Sequence, residues 1–185
     1  VYLHKTSIAA DSMLLNILRR AKELIERGET LFASPYLHFF LANRFTNEDL
    51  QNPEILENFC NLDDSEIISA IKVWQNVEDT TLSILCQKLI QRNLLKIKIA
   101  ETPYSAQEIA ARKQEVCTQL GILPEEADYF IVAGKLSNNT YNTDGDTLKI
   151  GMKDGSLKEL SEASEIYNLS ADNKPTIKYF ITSLN

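Results

Sequence analysis

The side chains best suited to chemistry in this chain stand at its start, in Val1-Tyr2-Leu3-His4-Lys5-Thr6. The Lys5 ammonium is a compact point charge that suits phosphate oxygens, and His4 beside it can donate to the same group. Tyr2 adds a ring and a hydroxyl for a sugar or a base. Spacing alone fits a plainer role better, the solvated polar start of an amphipathic helix.

Other chemistry finds fewer residues to work with. His4 and His38 are the only histidines, so no Ser/His/Asp or Cys/His arrangement stands out. His38 lies in the apolar run Leu37-His38-Phe39-Phe40-Leu41 and reads as a core or snorkelling residue within a buried segment, with no ligand partner at metal spacing. Asp63-Asp64 is a carboxylate pair, yet helix capping accounts for it. Cys60, Cys86 and Cys117 are too far apart for a C-x-x-C site and read as half-buried apolar residues in a reducing compartment. The scattered glycines make neither a dinucleotide fingerprint nor a P-loop. Around Gly145, a calcium-type register would put Thr140 and Gly151 where carboxylates are required, so Asn138 to Gly145 is a polar loop.

These residues need elements to position them. Ile8, Ala10, Leu14, Ile17, Leu18, Ala21, Leu24 and Ile25 recur at three- and four-residue steps, predicting a long helix that Gly28 ends. Ser34-Pro35 and Asn52-Pro53 each cap a short helix, and Asp63 opens another whose stripe is Ile67, Ile68, Ile71 and Trp74. Asp79 begins a further helix, with Leu82, Leu85, Leu89 and Ile90 inward. From Leu94 to Ile99 the pattern turns to alternation, the mark of a half-buried strand. Ser105 caps a helix to about Leu120 that Gly121 stops. Beyond it, Tyr129 to Ala133, Thr147 to Met152 and Thr176 to Thr182 read as strands, the last alternating between its faces. An Asp-Gly turn is expected at Lys153-Asp154-Gly155-Ser156, and Leu160 to Tyr167 as a short helix or irregular segment. The expected architecture is α+β and mainly α: a helical region over 1–93, then a small lobe over 94–185 with a few antiparallel strands.

At 185 residues, with 44% apolar and 24% charged residues, the composition is that of a globular protein. No apolar run reaches membrane-spanning length and no signal peptide is visible, which makes a cytoplasmic location the default and a membrane partner unexpected. A net charge of −7 opposes strong nucleic-acid binding, while leaving room for a local basic pocket. The chain opens without an initiator Met and straight into a helix, so it reads as the later part of a longer protein.

Tyr2-x-His4-Lys5 leading into a long helix, followed by Ser34-Pro35, resembles the C-terminal half of HD-domain deoxynucleoside triphosphate triphosphohydrolases. So does the succession Leu62-Asp63-Asp64, Trp74, Leu82-Ser83-x-Leu85 and Arg92-Asn93-Leu94-Leu95-Lys96. Ala127-Asp128-Tyr129-Phe130-Ile131-Val132 and the later strand ending in Lys153 extend the likeness into the small lobe. The resemblance implies that Tyr2 contacts substrate nucleotide. It implies also that His4, Lys5 and Lys153 contact an effector nucleotide, possibly GTP, where subunits of a homo-oligomer meet. Members of that family hydrolyse a dNTP to deoxynucleoside and triphosphate with a divalent metal held by the HD motif. That motif is missing from this sequence, so the chain by itself is expected to be non-catalytic and to carry no cofactor. The alternative is a non-enzymatic helical interaction or oligomerisation module, with the long first helix as its seam.

Overall fold

The computed structural model describes residues 4–137, 149–153, 156–159 and 177–184. Tyr2, the expected loop over 138–145, the turn residues Asp154 and Gly155, and the segment 160–167 lie outside them. The fold is α+β and mainly α, with a small set of antiparallel strands.

Its axis is α1 (Lys5–Glu26), which buries Ile8, Ala9, Met13, Ile17, Ala21 and Leu24 along one side. Ile8, Met13, Ile17 and Leu24 each contribute about 1.5–3 kcal/mol when fully buried, and the two alanines less. The helix ends in a Schellman motif: Gly28 at φ 91 donates to Ile25 O at 2.9 Å, and Glu29 donates to Leu24 O at 3.0 Å. α2 (Pro35–Ala42), α3 (Pro53–Asn61), α4 (Asp64–Trp74) and α5 (Thr80–Ile90) follow. Their side-chain caps Ser34, Asn52, Asp63 and Asp79 stand where the sequence puts them. Asp63 and Glu66 form a full capping box, so the Asp63-Asp64 pair starts a helix. Trp74 is fully buried and ties α4 to the segment before α2 through Nε1–H to Phe32 O at 2.9 Å.

Several expectations in this half need correction. Leu37 and Leu41 face α1, but α2 packs on one side only, so His38 is exposed and Phe39 and Phe40 are half-buried. Phe39, Phe40, Phe45 and Phe59 pack on each other instead, with the Phe39 and Phe45 rings stacked at 5.1 Å. Ile68 is 40% exposed, because the inward face of α4 runs through Ile67, Ala70, Ile71 and Trp74. Cys60 is exposed, at the outer end of α3.

β1 (Lys96–Ala100) leads to α6 (Ala106–Leu120), capped by Ser105 and ended by Gly121 at φ 66. β2 (Ala133–Ser137) and β5 (Ile177–Ser183) complete an antiparallel sheet in the order β1-β5-β2. β3 (Lys149–Gly151) and β4 (Leu157–Glu159) pair antiparallel, and Met152 N donates to Ser156 O at 2.8 Å beneath the expected turn.

Within the run Tyr129 to Ala133, expected as a strand, Tyr129, Phe130 and Ile131 are buried, Val132 is half-buried and Ala133 is exposed, and only Ala133 belongs to a strand. Pro124–Tyr129 is a 3-10 turn, and Phe130 and Ile131 still donate to Ala127 O. The buried Thr182 hydroxyl then takes the place of a ladder, donating to Phe130 O at 2.5 Å and accepting from Val132 N at 2.6 Å. Strand pairing begins only at Ala133. β5 is the central strand, so alternation gives way to burial on both faces. Phe180 packs with Ile8, Ala9 and Ile97, while Ile181 joins the main core with Met13, Trp74 and Phe130.

Among the described residues no helix is long and apolar enough to cross a membrane.

Candidate functional site

The first turn of α1 lies beside the connection from α5 to β1, and together they enclose a groove of about 440 Å³. Lys5, Arg92, Lys96 and Lys98 line it with Thr6, Ala9, Leu94 and Ile97, and among the described residues no carboxylate lines it. The strand period builds one side. On β1, Lys96 and Lys98 are exposed while Ile97 between them is buried against Ala9 and Phe180.

Two of the cations occupy positions that local energetics disfavour. Lys5 is the first residue of α1, at the positive end of the helix dipole, where a cation costs about 0.3–1 kcal/mol. α1 carries no acidic residue in its first turn to offset that end of the dipole, a feature it shares with α2 and α5. Arg92 has φ 57, the left-handed region, and is the sole non-glycine there among the described residues. It ends α5 in a Schellman motif, donating to Leu89 O at 3.1 Å while Asn93 donates to Lys88 O at 2.9 Å. Gly28 and Gly121 take left-handed conformations after α1 and α6, and a side chain there costs about 1–2 kcal/mol. Both locally disfavoured residues, Lys5 and Arg92, line the one groove.

The structure treats the residues singled out in the sequence differently. Lys5 lines the groove. His4, immediately before it, is exposed and caps α1, its Nδ1 accepting from Thr6 N at 3.3 Å. That lone pair is committed, so contact with an anion would run through Nε2–H. Lys153 is exposed after β3 and is not among the lining residues. Arg92, Lys96 and Lys98 carried no site role in the sequence. The alternation of β1 signals one face for its lysines, but the backbone of Arg92 leaves no sequence signal.

A buried charge cluster holds the neighbouring elements in place. Arg20, 5% exposed, donates from Nε and Nη2 to both oxygens of Asp79, at 3.1 and 2.6 Å, and from Nη2 to Glu126 at 2.7 Å. Hydrogen bonding to Asp79 raises the already high pKa of the guanidinium against the opposing effect of burial. Tyr129 lies under Arg19, whose guanidinium is 4.4 Å from the ring centre, and its hydroxyl donates to Glu23. Burial, and then that bond, push the phenol above its usual range. Burial alone pushes the Cys86 thiol up to about 12, so it is an inert core residue.

No group of three or more His, Cys, Asp and Glu side chains that could hold a metal occurs among the described residues. The described residues thus offer no ligand set for the divalent ion that the resemblance implies, and no step through it is assigned to them.

No family model matches the chain. It superposes over its whole length on a phosphohydrolase from Bacteroides thetaiotaomicron VPI-5482, with a TM-score of 0.81 and 41% identity, and covers 46% of that protein. The chain is thus similar to a part of that phosphohydrolase. It is also 28% identical over 173 residues, 90% of its length, to the uncharacterized protein YwfO of Bacillus subtilis (strain 168), of which it covers 37%. It thus spans less than half the length of either relative.

Proposed function

We propose that this chain is the C-terminal part of an HD-family, metal-dependent phosphohydrolase that converts dNTPs to deoxynucleoside and triphosphate. The observation that carries this is the likeness, over the length of this chain, to 46% of a phosphohydrolase at 41% identity. Tyr2 is assigned to the substrate nucleotide, and His4, Lys5 and Lys153 to an effector nucleotide such as GTP, at a contact between subunits of a homo-oligomer. The cationic groove around Lys5 supports the effector assignment, because it offers charge for a phosphate chain with no competing carboxylate among the described lining residues. The chemistry of phosphorus–oxygen cleavage belongs to the metal and its bound water, whose ligands lie upstream in this proposal. The present residues bind, orient and assemble. A cytoplasmic enzyme acting on free nucleotides fits these roles.

The test uses the protein with its upstream sequence, incubated with each dNTP, a divalent metal, and GTP present or absent. The expected products are deoxynucleoside and linear triphosphate, with Lys5→Ala weakening any dependence on GTP. Absence of hydrolysis and of nucleotide binding in that protein would sink the proposal. The interaction-module alternative would then lead. It draws on Leu56 and Phe59, which are 48% and 55% exposed beside the aromatic cluster of α2.

A further inference from the structure

We propose that Met13 is a positioning residue, whose sulfur fixes the connection from α5 to β1, and with it Arg92 and Lys96, against α1. For its effect on the response to an effector this rests on the function proposed above; the contact itself does not.

Leu94 and Leu95 run between two hydrogen-bonded systems. The N–H groups of Arg92 and Asn93 are taken up in closing α5, and pairing with β5 starts at Lys96, opposite Ser183. Leu95 stands just before that ladder. It is buried, and its N–H donates to Met13 Sδ at 3.4 Å, from 82 residues further along the chain. Met13 is fully buried and shares the main core with Trp74 and Ile181. Lys5, Ala9 and Met13 follow at four-residue steps, one row along α1. Lys5 and Ala9 line the groove from that row, and Leu94, Leu95 and Lys96 line it from the connection. The sulfur thus joins the α1 wall of the groove to the wall that carries Arg92 and Lys96.

The chemistry of the thioether suits the place. It accepts weakly and donates nothing, so it meets one buried N–H without bringing a polar hydrogen of its own. Glutamine would bring two such hydrogens into the core. Leucine fills a similar volume but cannot accept, and a buried N–H left without a partner is costly. The connection relieves that cost by shifting towards water, and Arg92 and Lys96, which flank Leu95, shift with it. Loss of the sulfur therefore displaces charge from the groove while the core stays filled.

The experiment compares wild type with Met13→Leu and with Ile71→Val, a control that thins the same core from α4. In amide exchange of the 185-residue chain, Met13→Leu should speed Leu95 by about tenfold or more relative to Leu85 of α5. Ile71→Val should leave that ratio unchanged. Selenomethionine keeps an acceptor at the same place, so Leu95 should stay as protected as in wild type. In the protein with its upstream sequence, Met13→Leu should raise the GTP concentration for half-maximal dNTP hydrolysis by about threefold or more. The rate at saturating GTP should not change, and Ile71→Val should move neither quantity. Unchanged Leu95 exchange in Met13→Leu would overturn the contact. Faster exchange with unchanged GTP dependence would overturn the positioning role and leave the phosphohydrolase proposal standing. A wild-type protein that hydrolyses dNTPs without responding to GTP, or hydrolyses none, would overturn the effector assignment and the positioning role together, and this is read before any variant.

Discussion

The Arg20 guanidinium grips both carboxylate oxygens of Asp79, at 2.6 and 3.1 Å, while the same carboxylate accepts from Leu82 N at 2.7 Å to cap α5. One carboxylate therefore starts a helix and anchors the middle of another. Glu126 takes a further proton of Arg20 from the 3-10 turn at 124–129, so three separate segments meet on one buried charge. The placement of α5, and hence of the Arg92 turn at its end, depends on this contact.

Arg20→Met leaves the half-buried Asp79 and Glu126 with no cation, and breaking a fully buried pair from one side costs about 3–5 kcal/mol, an upper bound here. Urea unfolding should show a loss within that bound. Arg20→Lys should recover only part of it, since an ammonium cannot form the two-pronged bond. If Arg20→Met unfolds at the wild-type midpoint, the cluster does not hold the segments together.

The helical half was legible in the sequence because its signals are local. Ser34, Asn52, Asp63, Asp79 and Ser105 each announce a helix by accepting from backbone N–H groups a few residues on. Tyr129 to Ala133 was not legible, because an aromatic and β-branched run has one composition whether it forms a strand or a buried turn. The deciding partner, the Thr182 hydroxyl, comes from the far end of the chain. The groove was half legible. Lys5 stood out by type, whereas Arg92 joins it through a left-handed turn and tertiary packing of α1 on β1 that no local pattern carries.

Asp63 makes the acid side of the stability profile testable. The Ser65 hydroxyl, then the N–H groups of Glu66 and Ser65, hold its carboxyl below the usual range. A folded-state pKa below the unfolded one gives stability that is present above the unfolded value and lost as pH falls through the folded one. The window lies below about pH 4. Asp63→Asn keeps a competent cap but removes the titration. Its Tm at neutral pH should stay close to wild type, and its decline in acid should be shallower. Parallel acid limbs in thermal melts would contradict the assignment.

Tyr129 acts on the alkaline side, with the opposite sign. Burial and the bond to Glu23 raise its pKa, so the neutral phenol is the folded form. The stability it contributes is complete below the unfolded value near pH 10 and is lost as pH rises through the folded one. Ultraviolet titration of the seven tyrosines should show one ionising late or only on unfolding, and Tyr129→Phe should remove that phase. Ionisation of all seven in a single ordinary step would rule this out.

Gly134 links packing to the groove. A Cβ built there would stand 2.6 Å from Phe180 Cε1 and 2.9 Å from Cζ, so the ring must move to admit a methyl group. Phe180 packs with Ile8, Ala9 and Ile97, and the last two also line the cationic groove. Gly134→Ala should therefore cost about 1–3 kcal/mol, as overpacking does, and should also weaken GTP binding although the residue lies outside the groove. Pairing it with Phe180→Leu, which gives the methyl group room, should restore part of both losses. Calorimetric titration and thermal melts on the single and double variants read the two effects together. Binding that stays at the wild-type level while stability falls would show that the groove wall does not follow Phe180.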